Sequence, residues 1–328
     1  MSARIIKQDV FSVGVMNPAL RVFDIIMKTE YGTSYNAYLV KGEKTALIET
    51  VHVNFFDEYL ENIQSIVDVQ SIDYLILNHT EPDHTGSIAK LLEKNPNIQI
   101  IGSMAAIKYA GAIVNSDFNK KIVKDGETLD LGNGKVLKFM ISPFLHWPDS
   151  MFTYLESEKT LFSCDFLGAH YCEPRVFDNH VMYKDKYAAA FDYYYAAIFG
   201  PFKEYVLKGL DKIKDLDLDV VAPSHGPVLV EGIKAAMDKY RQYSLPVLNK
   251  NEIKKILILY VSAYGCTKTL AKRAYDVCKE AGFDVEMHDI IKNDESFLAG
   301  KIHEADGLMF GSPTINRDAL KPVWDMIS

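Results

Sequence analysis

The sequence predicts an α/β protein of two domains. A layered αββα sandwich is expected over residues 1–248, and a smaller, doubly wound parallel sheet over residues 249–328. Three observations carry that expectation. A chain of 328 residues exceeds what one ordinary hydrophobic core supports. Up to about residue 243, strand patterns fall into groups flanked by amphipathic helices, as a sandwich requires. Beyond a polar stretch at 244–255, which contains Pro246, Asn249 and four charged residues and reads as a linker, strand and helix alternate one by one.

The elements follow in order. Residues 34–40 and 45–50 read as two strands joined by the charged turn Lys41-Gly42-Glu43-Lys44. A helical pattern occupies 55–67. The apolar run Tyr74-Leu75-Ile76-Leu77 marks a strand at 73–78, and Gly86-Ser87 opens a helix carrying Ile88, Leu91 and Leu92. Strands are predicted at 98–101, 136–141, 151–155, 160–164 and 219–223, and helices at 185–199, 202–213 and 231–243. In the second domain, strands at 256–261, 284–288 and 307–310 alternate with helices at 270–278 and 320–327.

Composition narrows the function. With 48% hydrophobic and 24% charged residues the chain reads as soluble and globular. A net charge of -8 argues against a general nucleic-acid binder, which needs a basic face. Residues 1–9 lack an apolar signal core and no later run is long enough to span a bilayer, so no membrane association is expected. Cys164, Cys172, Cys266 and Cys278 form no C-x-x-C pair. That fits a reduced, cytoplasmic setting and leaves the chain without a four-thiolate iron site of its own.

The chemistry concentrates where strands end. His79, Glu81, Asp83 and His84 fall within six residues, directly after the strand at 73–78. Two imidazoles and two carboxylates are more than one metal takes from so short a segment, so the cluster reads as half of a two-metal site. His146, Asp165 and His225 stand at three further strand-to-loop junctions, where a side chain is both rigid and open to a pocket. Seven side chains then serve two metals. If one carboxylate bridges, each metal keeps three terminal ligands and open positions for substrate. His52, His180, His288 and His303 read as ordinary packed or solvated residues. In the second domain, Ser262-Ala263-Tyr264-Gly265-Cys266-Thr267 leads from a buried strand into a helix. Hydroxyls, a glycine and a helix N-terminus converge there into an anion cradle. Ser312-Pro313-Thr314-Ile315-Asn316 follows the third strand.

The runs His79-x-Glu81-x-Asp83-His84, Leu145-His146-Trp147-Pro148-Asp149-Ser150-Met151 and Ser163-Cys164-Asp165, with weaker support from residues 31–39, resemble the metallo-β-lactamase superfamily. Within it they are similar to the flavodiiron proteins, or A-type flavoproteins, the rubredoxin:oxygen and nitric oxide oxidoreductase family. The resemblance extends from about residue 30 to the C-terminus. It implies a metallo-β-lactamase-like αββα sandwich followed by a flavodoxin-like domain, with a di-iron centre and FMN as cofactors. One iron would take His79, Glu81 and His146, the other Asp83, His84 and His225, and Asp165 would bridge; the bond to His84 is not always made in this family. His170 matches a family position near the pocket, and Tyr195 a tyrosine near the substrate. The loop at Ser262–Thr267 looks like the FMN phosphate loop, and Ser312–Asn316 like the loop flanking the isoalloxazine ring.

The resemblance also implies a rubredoxin-type electron donor, reduction of dioxygen to water or nitric oxide to nitrous oxide, and a head-to-tail homodimer or a dimer of such dimers. Glu81 agrees with iron. Zinc hydrolases of this superfamily usually carry His there, and a carboxylate favours the higher oxidation states of a redox metal. A zinc-dependent hydrolase on the same sandwich is the alternative expectation. A non-enzymatic, gas-binding protein is a third, because only three of the five strands of a flavodoxin-like sheet are legible before Ser328. The chain is therefore expected to be a fragment, truncated in its flavin domain.

Overall fold

The computed structural model describes residues 3–246 and 251–327. The chain divides into two compact units, Met1–Leu245 and Pro246–Ser328. The domain boundary expected at 248/249 falls outside the described residues.

The first unit is built on two large sheets. In spatial order the seven-stranded sheet runs Arg4–Lys7, Val10–Ser12, Tyr38–Lys41, Thr45–Ile48, Ile72–Leu77, Gln99–Gly102 and Lys120–Ile122. The five-stranded sheet runs Thr128–Asp130, Val136–Ile141, Met151–Leu155, Thr160–Cys164 and Val220–Pro223. Alternation along the strands supplies two cores. Tyr38, Val40, Ala46, Ile48 and Ile76 share one core with Phe139, Met151, Leu155 and Phe162 of the other sheet. Their neighbours Leu39, Leu47, Leu75, Leu77, Phe152 and Leu161 belong to the core that includes the helices. Both faces of each sheet are thus buried, which makes the layering αββα. Burial of each Val, Leu, Ile, Phe or Met among them contributes about 1.5–3 kcal/mol.

The helix Phe56–Gln64 contributes Tyr59 and Ile63 to that helix-side core, and Ile88–Lys94 contributes Ile88 and Leu91. Lys203–Ile213 and Ile233–Ser244 contribute Val206, Leu210 and Tyr240. No helix among the described residues is long and apolar enough to cross a membrane.

Two predicted elements take a different form. The strand expected over 34–40 is divided. Thr33–Tyr35 pairs with Val15–Asn17 in a small separate sheet, and only Tyr38–Lys41 joins the main one. Asn36 stands between them, its side-chain amide donating to the carbonyls of Pro223 and Gly226 at 2.8 Å each. The helix expected over 185–199 is α-helical from Lys184 to Tyr194 and ends in a π-helical turn, Tyr195–Phe199.

The second unit holds three parallel strands in the spatial order Asp284–Asp289, Lys255–Tyr260, Gly307–Gly311. Leu257, Leu259 and Val261 pack with Leu298 and Val323 on one face, and Ile258 and Tyr260 with Ala271 and Cys278 on the other. Helices therefore cover both faces, and the chain order reverses direction between the first and third strands. The loops leaving those two strands flank the crevice where doubly wound sheets bind ligands.

Candidate metal centre and phosphate loop

Each candidate ligand is set by a strand end. Ile72–Leu77 runs out into Asn78, which is tied on every side. Its N–H donates to Glu49 Oε1 (2.8 Å), its carbonyl accepts from Met151 N–H (2.9 Å), and its side-chain carbonyl accepts from Thr153 Oγ1 (2.6 Å). His79 follows, then a short helix, Pro82–Thr85, that carries Asp83 and His84. Thr50 N–H and Oγ1 both donate to the His84 carbonyl, at 2.9 and 2.5 Å. Asp165 succeeds Thr160–Cys164 after Cys164 takes a left-handed φ of 55°. His225 succeeds Val220–Pro223, and His146 lies in the loop between Val136–Ile141 and Met151–Leu155.

These seven residues come together as two groups. Donor atoms of His79, Glu81, His146 and Asp165 all lie within 4.8 Å of one another, as do those of Asp83, His84 and His225. In the first group, Glu81 Oε2 lies 3.1 Å from His79 Nε2 and 3.3 Å from His146 Nε2. Asp165 Oδ2 lies 2.8 Å from His146 Nε2. In the second, Asp83 Oδ2 lies 3.1 Å from His225 Nε2, and Asp165 Oδ1 lies 3.1 Å from His84 Nε2. The two oxygens of Asp165 therefore face different groups. Asp165 Oδ1, both oxygens of Asp83 and both ring nitrogens of His84 are buried without a hydrogen-bond partner. Buried polar atoms are normally satisfied, and a pair of cations would satisfy these. The mixed N/O donor set suits iron.

The imidazoles are aimed from behind. His79 Nδ1 lies 3.4 Å from Asp149 Oδ1, and Asp149 Oδ2 accepts from Thr80 Oγ1 at 2.6 Å. His225 Nδ1 donates to the Ser34 carbonyl at 2.6 Å. With Nδ1 carrying the proton, each Nε2 presents its lone pair inward. Carboxylates and imidazoles set one another's charge in the site. Burial opposes a charge on His84, but Asp83 and Asp165 outweigh it and lift its pKa to about 10. Burial likewise opposes ionisation of Asp165, yet the surrounding imidazoles hold it well below the carboxylate range. Glu49 is pushed up to about 8 by burial. Asp24 is raised to about 7 by burial and by Glu81 beside it.

His170 is buried against this cluster, its ring 4.8 Å from that of His225. Its Nδ1 lies 2.9 Å from Thr33 Oγ1, and its Nε2 has no partner. Burial and the neighbouring His225 keep its pKa well below the usual imidazole value. A cavity of about 290 Å³, lined by Lys28, Glu30, Tyr31, His170 and Tyr193 among others, opens against it. Tyr195, expected near the substrate, instead points its hydroxyl at Ser244 Oγ, 2.7 Å away. The preceding residue, Tyr194, turns to the cluster: its ring lies 4.9 Å from His170 and 6.1 Å from His225. Asp24, Thr33, Ser34, Glu49, Asp149 and Tyr194 were not singled out by the sequence patterns. Asp149, inside the Trp-Pro-Asp-Ser run, and Thr33 and Ser34, inside the weaker 31–39 stretch, did lie within runs that carry the resemblance.

In the second unit, Gly265 takes a φ of 88° just before the helix Cys266–Glu280. Ser262 Oγ accepts from Gly265 N–H (3.1 Å) and Lys268 N–H (3.2 Å), curling the loop over the helix N-terminus. A Cβ on Gly311 would lie 3.2 Å from Thr267 Cγ2, so the Ser312–Asn316 loop leaves its strand beside this turn. A long helix start and a glycine-permitted turn at the switch of strand order suit a phosphate group.

The family model described as ODP family beta lactamase matches residues 33–226, and that described as Flavodoxin matches residues 258–325. The chain belongs to the flavodiiron proteins, also called A-type flavoproteins: oxidoreductases in which a metallo-β-lactamase-like domain precedes a flavodoxin-like one, with a di-iron centre and FMN as cofactors. Among relatives, it is 56% identical to the flavo-diiron protein FprA2 of Clostridium acetobutylicum, over all of this chain and 82% of that one. It is 37% identical to a type A flavoprotein of Rhodobacter capsulatus, over 96% and 73%. Among solved structures, the rubredoxin oxygen:oxidoreductase of Desulfovibrio gigas superposes with a TM-score of 0.76 at 29% identity, covering 99% of this chain and 81% of that one. The flavodiiron protein of Giardia intestinalis gives 0.74 at 26%, covering 100% and 79%.

Proposed function

We propose that this protein reduces dioxygen to water, nitric oxide to nitrous oxide, or both, using electrons that a rubredoxin-type donor delivers through FMN. The observation that carries the proposal is the pair of donor groups sharing Asp165, with Glu81 where a hydrolytic site would offer a third imidazole. The di-iron centre would supply two adjacent redox-active cations at which a small gas is bound and reduced. His79, Glu81 and His146 would hold one cation, Asp83, His84 and His225 the other, with Asp165 between them. Asp149 and the Ser34 carbonyl would keep His79 and His225 in the tautomer that binds. His170, held neutral, would stand by the pocket with its free Nε2. Ser262–Thr267 would hold the FMN phosphate, and Ser312–Asn316 would border the flavin ring.

Support for the donor comes from the name of the Desulfovibrio gigas relative. The electron count is consistent: two ferrous ions and a two-electron-reduced flavin together hold the four electrons that dioxygen requires. The electron path would close within a head-to-tail homodimer, or a dimer of such dimers, that sets the flavin of one chain beside the irons of the other. All four cysteines are free, which supports a reducing cytoplasmic setting.

The test begins with metal and flavin analysis of protein expressed with ample iron. Iron and FMN together support the proposal, whereas two zincs in their place would sink it in favour of a hydrolase. Iron without FMN would leave a gas-binding protein with no electron supply. Anaerobic stopped-flow mixing of the reduced protein with dioxygen, and separately with nitric oxide, then identifies the substrate.

A further inference from the structure

A file of aromatic rings leads away from the metal centre. It begins at Tyr194, against His170 and His225. Phe199 comes next, 6.1 Å from Tyr194 and 5.6 Å from Tyr240. Tyr240 lies 4.8 Å from Tyr195, and Tyr195 lies 5.0 Å from Tyr243. Tyr194, Tyr240 and Tyr195 are buried, and Tyr243 is half-buried.

Packing alone does not call for phenols here. The Tyr194 hydroxyl is fully buried without a hydrogen-bond partner, a cost that phenylalanine would not incur. The proton acceptors also improve outward. Tyr194 has none. Tyr195 meets Ser244 Oγ, which in turn donates to the Tyr240 carbonyl at 2.7 Å. Tyr243 is only half-buried, so water reaches it, and it stands beside the Asp192–Lys239 ion pair. A phenol that loses an electron becomes a strong acid, so an adjacent base lowers the cost of oxidising it. Tyr243 is therefore the easiest member of the file to oxidise, and it stands at the outer end.

We propose that Tyr194, Tyr240, Tyr195 and Tyr243 form a relay that drains oxidising equivalents from the metal centre when an oxidant arrives with too few electrons at hand. This rests on the di-iron reading above. An oxidised centre would draw one electron inward along the file, from Tyr243 through Tyr195 and Tyr240 to Tyr194; Tyr194 and Tyr240, whose hydroxyls meet no acceptor, keep their protons throughout. The net loss is one electron from Tyr243, whose phenolic proton passes to the water that reaches this half-buried residue. A thiol in solution then gives a hydrogen atom to the Tyr243 oxygen, which restores the phenol. The thiol is oxidised to a thiyl radical, and no bond in the protein is lost.

The test treats the iron- and FMN-containing protein with hydrogen peroxide in the absence of an electron donor, after its iron content has been measured. Freeze-quench electron paramagnetic resonance is expected to show a tyrosyl radical. A nitroso spin trap followed by peptide mass spectrometry is expected to place the adduct on Tyr243. Tyr240→Phe, with iron content and circular dichroism unchanged, should cut the Tyr243 adduct several-fold. Tyr243→Phe should abolish that adduct and raise oxidation of the peptides that carry the metal ligands several-fold. An adduct that persists undiminished in Tyr240→Phe, or iron-loaded protein with no tyrosyl radical, overturns the relay alone. Absence of bound iron overturns the relay and the metal assignment together.

Discussion

Asp165 is the residue on which the site turns. Its Oδ1 faces His84 and its Oδ2 faces His146, so a single side chain serves both donor groups. Asp165→Asn keeps the shape but removes the charge and offers one oxygen in place of two. Iron content is expected to fall well below half that of the unsubstituted protein, with circular dichroism unchanged; full retention of both irons would refute a bridging role. The neighbouring tyrosines show how fine the residue scale is. Tyr194 and Tyr195 are adjacent in the chain, yet one hydroxyl is directed inward without a partner and the other meets Ser244. A run of three tyrosines, Tyr193-Tyr194-Tyr195, carries no local signal that ranks them.

At the scale of elements, strand ends were legible and short connections were not. The ligand-bearing strands Ile72–Leu77, Thr160–Cys164 and Val220–Pro223 are apolar runs that end in polar, turn-forming residues, and their sequence patterns place them within a residue or so. The hairpin Val22–Phe23 and Met27–Lys28 escaped notice. Its turn uses Asp24 and Ile25 at φ values of 47° and 70°, without the glycine that usually marks such a turn. Met104–Val114 was missed because its alanines and glycine give little helical periodicity. Gly226 shows what a connection demands. It has a φ of 78°, its N–H donates to Ser34 Oγ at 2.8 Å, and an added Cβ would lie 2.6 Å from the Ala169 carbonyl oxygen. Gly226→Ala should destabilise the first unit by at least about 1–2 kcal/mol from the left-handed backbone alone. It should also displace His225, so that both Tm and iron content fall; an unchanged Tm would refute this.

In the second unit, the strand Asp284–Asp289 carries Glu286, hydrogen-bonded first by Lys255 and then by His288 and Lys301. Those contacts lower its pKa from 4.5 to about 2. A depressed carboxylate stabilises the fold above its unfolded pKa, and that stability is lost as pH falls from 4.5 through about 2. Glu286→Gln should therefore cost about 1 kcal/mol at neutral pH, and the difference from the unsubstituted protein should vanish toward pH 2. Denaturant titrations across that range provide the check, and a gap independent of pH would refute the assignment.

For the whole molecule, the two units have separate cores. The first is organised around two stacked sheets, the second around both faces of a three-stranded sheet. Each has its own cofactor chemistry, so each should respond to its own ligand. Calorimetry is expected to resolve two transitions. Chelation of iron should lower one, and added FMN should raise the other. A single transition shifted equally by both treatments would refute that independence.

The sequence by itself determined what is local. It set the types and order of the seven candidate ligands, the strand and helix periods, and the serine–glycine turn at a helix start. Periodicity and donor chemistry are properties of short segments, and they survive without knowledge of what lies opposite. Only the tertiary structure decided which atoms meet. That Asp165 divides its oxygens between two groups, that Asp149 stands behind His79 and that Tyr194, not Tyr195, meets His170 all depend on sheet register and sheet stacking. These features join residues from 33 to 225 across distances that no local pattern encodes.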